Sequence, residues 1–148
     1  MFRELIATAN DWALTILRLT LGVVFFYHGA QKTLGWWGGY GFSATMGFFT
    51  QQMSIPAPFA FLAIMAEFLG GLGLILGLLG RLAAFGILCN MFVAIFLVHL
   101  KFGFSMNWGG AQKGEGIEYH VLAIAMALAL MIRGSGAASV DLALTQRR

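Results

Sequence analysis

Residues 58–102 read PFAFLAIMAEFLGGLGLILGLLGRLAAFGILCNMFVAIFLVHLKF. The run is apolar on both sides of Gly80-Arg81 and carries little else that is charged: Glu67 near its start, His99 and Lys101 at its end. A helix that spans a bilayer needs roughly 17–25 residues. The run is long enough for two spans, Pro58 to Leu79 and Leu82 to Phe102, and so short a link forces them into an antiparallel hairpin. Two more apolar stretches flank it, Trp12 to Lys32 and Ile117 to Ile132. The fourth is short, so it begins in the glycine-rich loop before it or sits in thinned bilayer.

Composition agrees. The chain has 148 residues, of which 59% are hydrophobic and 10% charged. A soluble domain averages about 45–50% apolar and about 25% charged. Too few polar residues remain to cover a water-facing surface, so lipid is the solvent. The expected fold is an all-α integral membrane four-helix bundle, one transmembrane domain over residues 1–148. The net charge of +3 comes from scattered residues with no basic run, which excludes a nucleic-acid partner. The lone cysteine, Cys89, rules out an internal disulfide or a C-x-x-C pair, and reads as a small buried residue. Leu14 to Ala30 is too long for a signal-peptide core, contains Arg18 and lacks an Ala-x-Ala site, so it reads as a retained helix.

The first connection is long. Gly35-Trp36-Trp37-Gly38-Gly39-Tyr40-Gly41 has the aromatic content of a headgroup-level belt. Phe42, Met46, Phe49 and Met53 then recur at helical spacing, which predicts an amphipathic segment over about 42–53 lying on the membrane surface. With a cytoplasmic N-terminus, Arg3, Arg81, Arg133, Arg147 and Arg148 fall inside, and Lys32, Lys101 and Lys113 outside. That bias places both termini in the cytoplasm.

Ionisable groups within a span are costly unless paired or hydrated, so each is a functional candidate. Alternating helix directions bring His28, Lys32, Glu67, His99, Glu118 and His120 into the outer half of the bundle. Glu67 lies roughly 13 Å below the end of its helix, at about 1.5 Å per residue. Two readings of it stand: a proton carrier or headgroup ligand, and a structural ion pair with Arg18 or Lys32. Arg18, Gly22, Phe25, Gly29 and Lys32 share one stripe that should face the interior, with His28 about a quarter turn away. Arg18 can instead snorkel to the inner surface. Gly70, Gly73, Gly77 and Gly80 recur at spacings that let helices approach closely. Glu118 suits a helix's first turn. It lies about 200° from His120, so the two cannot face one pocket. Asn90 and His99 are about 180° apart on a straight helix, and Asn90 reads as an interhelical hydrogen bond. Trp36, Trp37 and Trp108 are placed to roof the site.

The ordered set Leu17-Arg18-Leu19, Leu21-Gly22, His28-Gly29-Ala30-Gln31-Lys32, Glu67, Gly70-Gly71, Gly80-Arg81, Asn90-Met91, Val98-His99, Gly116-Ile117-Glu118-Tyr119 and Ser139-Val140-Asp141-Leu142 resembles the DoxX family of small bacterial membrane proteins. The resemblance runs from about Leu14 to Leu144. It implies a multi-pass four-helix bundle of the cell inner membrane tied to redox metabolism. Related proteins include the membrane part of a thiosulfate:quinone oxidoreductase and partners of thiol-oxidative-stress proteins. The family's HG-x-x-K pattern falls on His28, Gly29 and Lys32, its second-helix acid on Glu67, and its acid before the fourth helix on Glu118. The first loop is longer here than in the smallest members.

The expected function is therefore a membrane component of a quinone-linked oxidoreductase system, a subunit rather than an autonomous enzyme. Its proton-exchanging groups would be Glu67, His28 and Lys32, with Arg18, His99, Trp36, Trp108, Glu118 and His120 around a quinone. Partners would be membrane lipid and a redox protein, a larger membrane complex or a second copy of the chain. The alternative is a non-enzymatic accessory or assembly subunit that docks through the amphipathic segment. A third reading is haem or metal held by His28, His99 and His120.

Overall fold

The computed structural model describes residues 2–146, and among these no strand forms. Helices are the expected outcome: in lipid, a helix satisfies every backbone N–H and C=O within its own segment. The order is α1 (Phe2–Ile6), α2 (Trp12–Leu34), α3 (Gly41–Gly47), α4 (Ala57–Leu76), α5 (Gly80–Ala94), α6 (Glu118–Arg133) and α7 (Val140–Gln146). A π turn, Phe48–Gln52, extends α3; another, Ile95–His99, extends α5 and runs into a final 3-10 turn, Leu100–Phe102. The protein is an all-α membrane helical bundle built of α2, α4, extended α5 and α6. The first three hold 23, 20 and 23 residues, long enough to cross. α6 has 16 residues, roughly 24 Å at 1.5 Å per residue against a hydrocarbon core of roughly 30 Å. The preceding loop is tied to the end of α5, with Ile117 N donating to Gly103 O at 3.1 Å and Glu118 N to Phe104 O at 2.9 Å.

Local chemistry sets the helix ends. The Asp11 carboxylate accepts from Ala13 N at 2.8 Å and caps α2, which stops at Gly35 with φ +71°. α4 starts behind Pro56 and carries Pro58 in its first turn, where a missing N–H costs nothing. It ends at Gly77, φ +66°, three residues before the Gly80-Arg81 link expected from sequence. The left-handed Gly77 provides the stop, so Gly77–Leu79 is the turn and α5 begins at Gly80.

Leu21, Phe25, Leu74, Ile87, Met91 and Leu130 form the core between these four helices. Ile16, Val23, Phe96, Leu122 and Ile132 stay exposed on the outer faces, as a lipid solvent permits. Cys89, expected to be buried, is on this exposed face. α2 and α4 are the closest pair. A Cβ on Gly29 would stand 2.5 Å from Phe68 Cα, and one on Gly71 2.4 Å from Phe26 N. The small-residue contact thus uses Gly22, Gly29 and Gly71. Of the expected stripe, Gly77 and Gly80 serve the turn instead, packed against Ser139 and Ser135.

The two ends of the bundle differ. Arg18 is buried and donates to Leu74 O, Ile75 O, Ala137 O and Ala138 O at 2.7 to 3.4 Å. It therefore neither snorkels nor pairs with Glu67: it clamps the end of α4 to the segment before α7. Arg81 closes the same end, donating to Ala7 O and Met131 O. Arg3 and Arg133 lie there too, while Arg147 and Arg148 fall outside the described residues. Lys32, Lys101 and Lys113 belong to the opposite end. There α3 and its π turn pack against the end of the bundle, while Phe42 and Phe48 keep exposed faces. Phe42 meets the Phe61 ring edge-on at 6.2 Å, and Phe49 and Met53 line a cavity with Lys32 and Glu67.

Candidate functional site at the Lys32 end

The site starts from the α2–α4 contact. Because Gly29 has no side chain, the α2 backbone rests against Glu67–Phe68 of α4. Lys32, one turn later, then reaches Glu67 directly, and its Nζ and Oε2 form an ion pair. Glu67 is buried in that pair. Of the two partners open in the sequence, geometry selects Lys32. Arg18 lies roughly 21 Å away along the same helix.

Around the pair is a cavity of about 330 Å³ lined by three helices besides α2. α2 contributes Phe25, His28 and Lys32; α4 contributes Glu67; α5 and its π turn contribute Met91, Ala94 and His99. Tyr119 and His120 come from α6, and Met106 and Glu115 from the last long loop. Of the polar groups gathered by alternating helix directions, all but Glu118 thus share one cavity. His99 and His120 lie ring to ring, centroids 4.1 Å apart. His99 Nδ1 hydrogen-bonds the Glu115 carbonyl at 2.8 Å. Tyr119 stacks on Phe25 at 6.4 Å and is within electrostatic reach of Glu67. Its hydroxyl is buried with no hydrogen-bond partner among the described residues. His28 sits at the exposed mouth, with Nδ1 3.2 Å from Gln31 Oε1.

A family model described as DoxX matches residues 13–100. The chain belongs to the DoxX family. The match takes in α2, α4 and nearly all of extended α5, hence His28, Lys32, Glu67 and His99. It stops before α6, so Tyr119 and His120 complete the cavity from outside the matched region. No curated protein and no solved structure matches the chain.

Other sequence candidates of this DoxX protein lie elsewhere. Glu118 does not line the cavity; its carboxylate accepts from Met106 N at 3.1 Å and fixes the loop that supplies Met106. Trp36 and Trp37 meet edge to face outside the cavity, and Trp37 stacks on Tyr27 at 4.8 Å. Trp108 is 87% exposed on the loop. The tryptophans therefore do not roof the site; Met106 and Glu115 border it instead. Among the described residues no three His, Cys, Asp or Glu side chains are arranged to hold a metal ion. Tyr119 is the residue the polar census missed. Its signal was its place beside His120 in the Gly116–Tyr119 stretch, at the same end as Glu67.

Asn90 makes the interhelical hydrogen bond expected of it, Nδ2 donating to Ala63 O at 2.7 Å. It also lines a smaller cavity together with His99, which a straight helix forbids. The Ile95–His99 π turn resolves this. It takes one extra residue into a turn, retarding the phase by about 100° and narrowing the separation from about 180° to about 80°. Asn90→Leu should cost about 0.6–1.7 kcal/mol, from the average to the maximum for hydrogen bonds between membrane helices. Equilibrium unfolding in mixed micelles measures this, and a stabilised variant would show the bond contributes nothing.

Proposed function

We propose that this DoxX protein is a membrane component of a quinone-linked oxidoreductase system, acting as one transmembrane domain, and that the cavity at its Lys32 end receives a quinone headgroup. The observation that carries this reading is the convergence of Lys32, Glu67, His99, Tyr119 and His120 with Phe25 and Met91 on one cavity. Its volume of about 330 Å³ falls in the usual range for small-ligand sites, about 300–1,000 Å³. Apolar walls with a few convergent polar groups suit a flat, mostly apolar ring that carries oxygen acceptors.

The residue chemistry fits such a ring. A bound quinone supplies an acceptor for two electrons and two protons. Lys32 offers an ammonium to a ring oxygen and stabilises negative charge there. Glu67, next to it, is the carboxylate that can take up a proton as Lys32 turns to the ring oxygen, and return it later. The buried Tyr119 hydroxyl lacks a partner, a state that costs about 1–3 kcal/mol; a ligand oxygen would recover it. His99 stands between the buried His120 and the Glu115 carbonyl, on a route for protons toward the loop. The single thiol, Cys89, faces outward and cannot cycle as a dithiol, so electrons come from a partner protein or a sulfur substrate. The clustering of Arg3, Arg81 and Arg133 at the far end supports cytoplasmic termini in a bacterial inner membrane. Docking as an accessory subunit through the amphipathic segment finds less support, because Phe49 and Met53 turn onto the bundle.

The test is titration of the purified protein with a benzoquinone in lipid nanodiscs. Glu67→Gln should weaken binding by about ten- to a hundredfold, the worth of one charged hydrogen bond. Unchanged affinity in a folded variant removes Glu67 from the site. No binding to the unaltered protein sinks the reading.

A further inference from the structure

A second cavity, of about 190 Å³, lies against the same ion pair. Lys32, Glu67, Ala94 and His99 line both cavities, so the pair forms the waist between them. Beyond the waist the chemistry changes. The first cavity is surrounded by His28, Tyr119, His120 and Glu115. The second is walled by Phe49, Met53, Ile55, Val93 and Val98, with Asn90 the one further polar side chain.

We propose that this second cavity is the subsite for the apolar chain of an amphiphilic ligand whose polar ring occupies the first, and that the segment from Phe49 to Ile55 is its cover. The proposal rests on the function proposed above. Continuity through shared walls ties the two spaces into one elongated site. A ligand lying through it carries its ring to Tyr119 and His120 and its chain past Lys32 and Glu67. The ring oxygen next to the chain then meets the ion pair, so chain placement sets which oxygen Lys32 receives.

The cover is built for this place. Met53 N donates to Phe48 O at 3.1 Å and Ile55 N to Phe49 O at 2.9 Å, closing the segment on itself. Ser54, φ +55°, makes the reversal between them. Both π turns border this cavity: Phe48–Gln52 supplies Phe49, and Ile95–His99 supplies Val98 and His99. π turns of this kind mark functional sites frequently. Val93, 48% exposed on α5, opens one edge toward lipid, where a hydrophobic chain already resides. An isoprenoid and a phospholipid acyl chain share this chemistry, so the experiment must separate them.

Dissociation constants are measured in lipid nanodiscs for a chain-less dimethoxymethylbenzoquinone and for the same ring carrying a decyl chain. The unaltered protein should bind the decyl ring at least about tenfold more tightly. Met53→Trp, on the cover, and Val98→Trp, on the opposite wall, should each remove about tenfold from the decyl ring and leave the chain-less ring within about twofold. If both ligands bind but the two variants spare the decyl ring, or weaken both ligands alike, the chain lies elsewhere; the inference falls while the proposed function stands. A ringless decyl alcohol that displaces the decyl ring with equal strength marks a general lipid groove and also overturns it. If neither quinone binds the unaltered protein, both proposals fall together.

Discussion

Asp141→Ala is expected to destabilise the protein by about 3–5 kcal/mol, because it leaves three buried or half-buried donors without their acceptor at about 1–3 kcal/mol each. Asp141 is 1% exposed. Its Oδ1 accepts from Leu79 N at 2.8 Å, and its Oδ2 from Gly80 N at 3.0 Å and Ser135 Oγ at 2.6 Å. The two amides are the free donors at the start of α5, where no carbonyl of the same helix can reach them. Leu79 holds a left-handed φ of +51°, which a branched side chain tolerates only when other contacts fix it. A carboxylate there also favours the helix dipole and lies within coulombic range of Arg18. Removing it strands the donors of Leu79 and Gly80 and loosens the turn. Asp141→Asn keeps one oxygen acceptor and should lose about half as much. Equilibrium unfolding in mixed micelles checks both. An unchanged midpoint for Asp141→Ala would mean that water or the backbone replaces every lost bond.

Gly29→Ala should cost about 3 kcal/mol, the upper end of the overpacking range, although the added group is one methyl. Its Cβ would stand 2.5 Å from Phe68 N and Cα and 2.7 Å from Glu67 C. These are backbone atoms of a helix and cannot rotate away, so α2 and α4 must separate. That separation starts one turn from Lys32 and beside Glu67, so the ion pair stretches and both cavities change shape. Benzoquinone affinity should fall together with stability. Gly47→Ala is the control: nothing lies within 4 Å of its added Cβ, and stability should hold or rise by up to about 1 kcal/mol, the helix preference for Ala over Gly. Equal melting temperatures for Gly29→Ala and the unaltered protein would show that the two helices yield to the methyl.

The crossings were legible because a bilayer demands length and apolarity, which are local properties of the chain. Helix direction alternates at each connection, so the shared end of Lys32, Glu67, His99 and His120 followed from counting along the sequence. Glu67 declared itself by depth, and Gly29 by its place on the charged stripe. The family pattern added the order of these residues, and with it the acid Glu118, which does not line the cavity.

Other features depend on atoms distant in sequence. Which cation meets Glu67 is settled by Gly29, which lets α2 touch α4 at the level of Lys32 and leaves Arg18 a helix length away. Arg18 faces the interior as its stripe predicts, yet its partners are carbonyls from residues 74–75 and 137–138. No periodicity connects those positions. Asn90 and His99 share a wall only because a π turn shifts the phase of α5, and a one-residue change in hydrogen bonding leaves no mark in hydropathy. The amphipathic pattern of residues 42–53 predicts an apolar face; only packing shows that part of that face, Phe49 and Met53, meets the bundle beside Lys32 and Glu67. Hydropathy and helix direction thus determine that the chain crosses a membrane and which end collects its polar groups. Close backbone contact and helix phase, which are relations between segments, decide that these groups line one cavity and that Lys32 and Glu67 border the next.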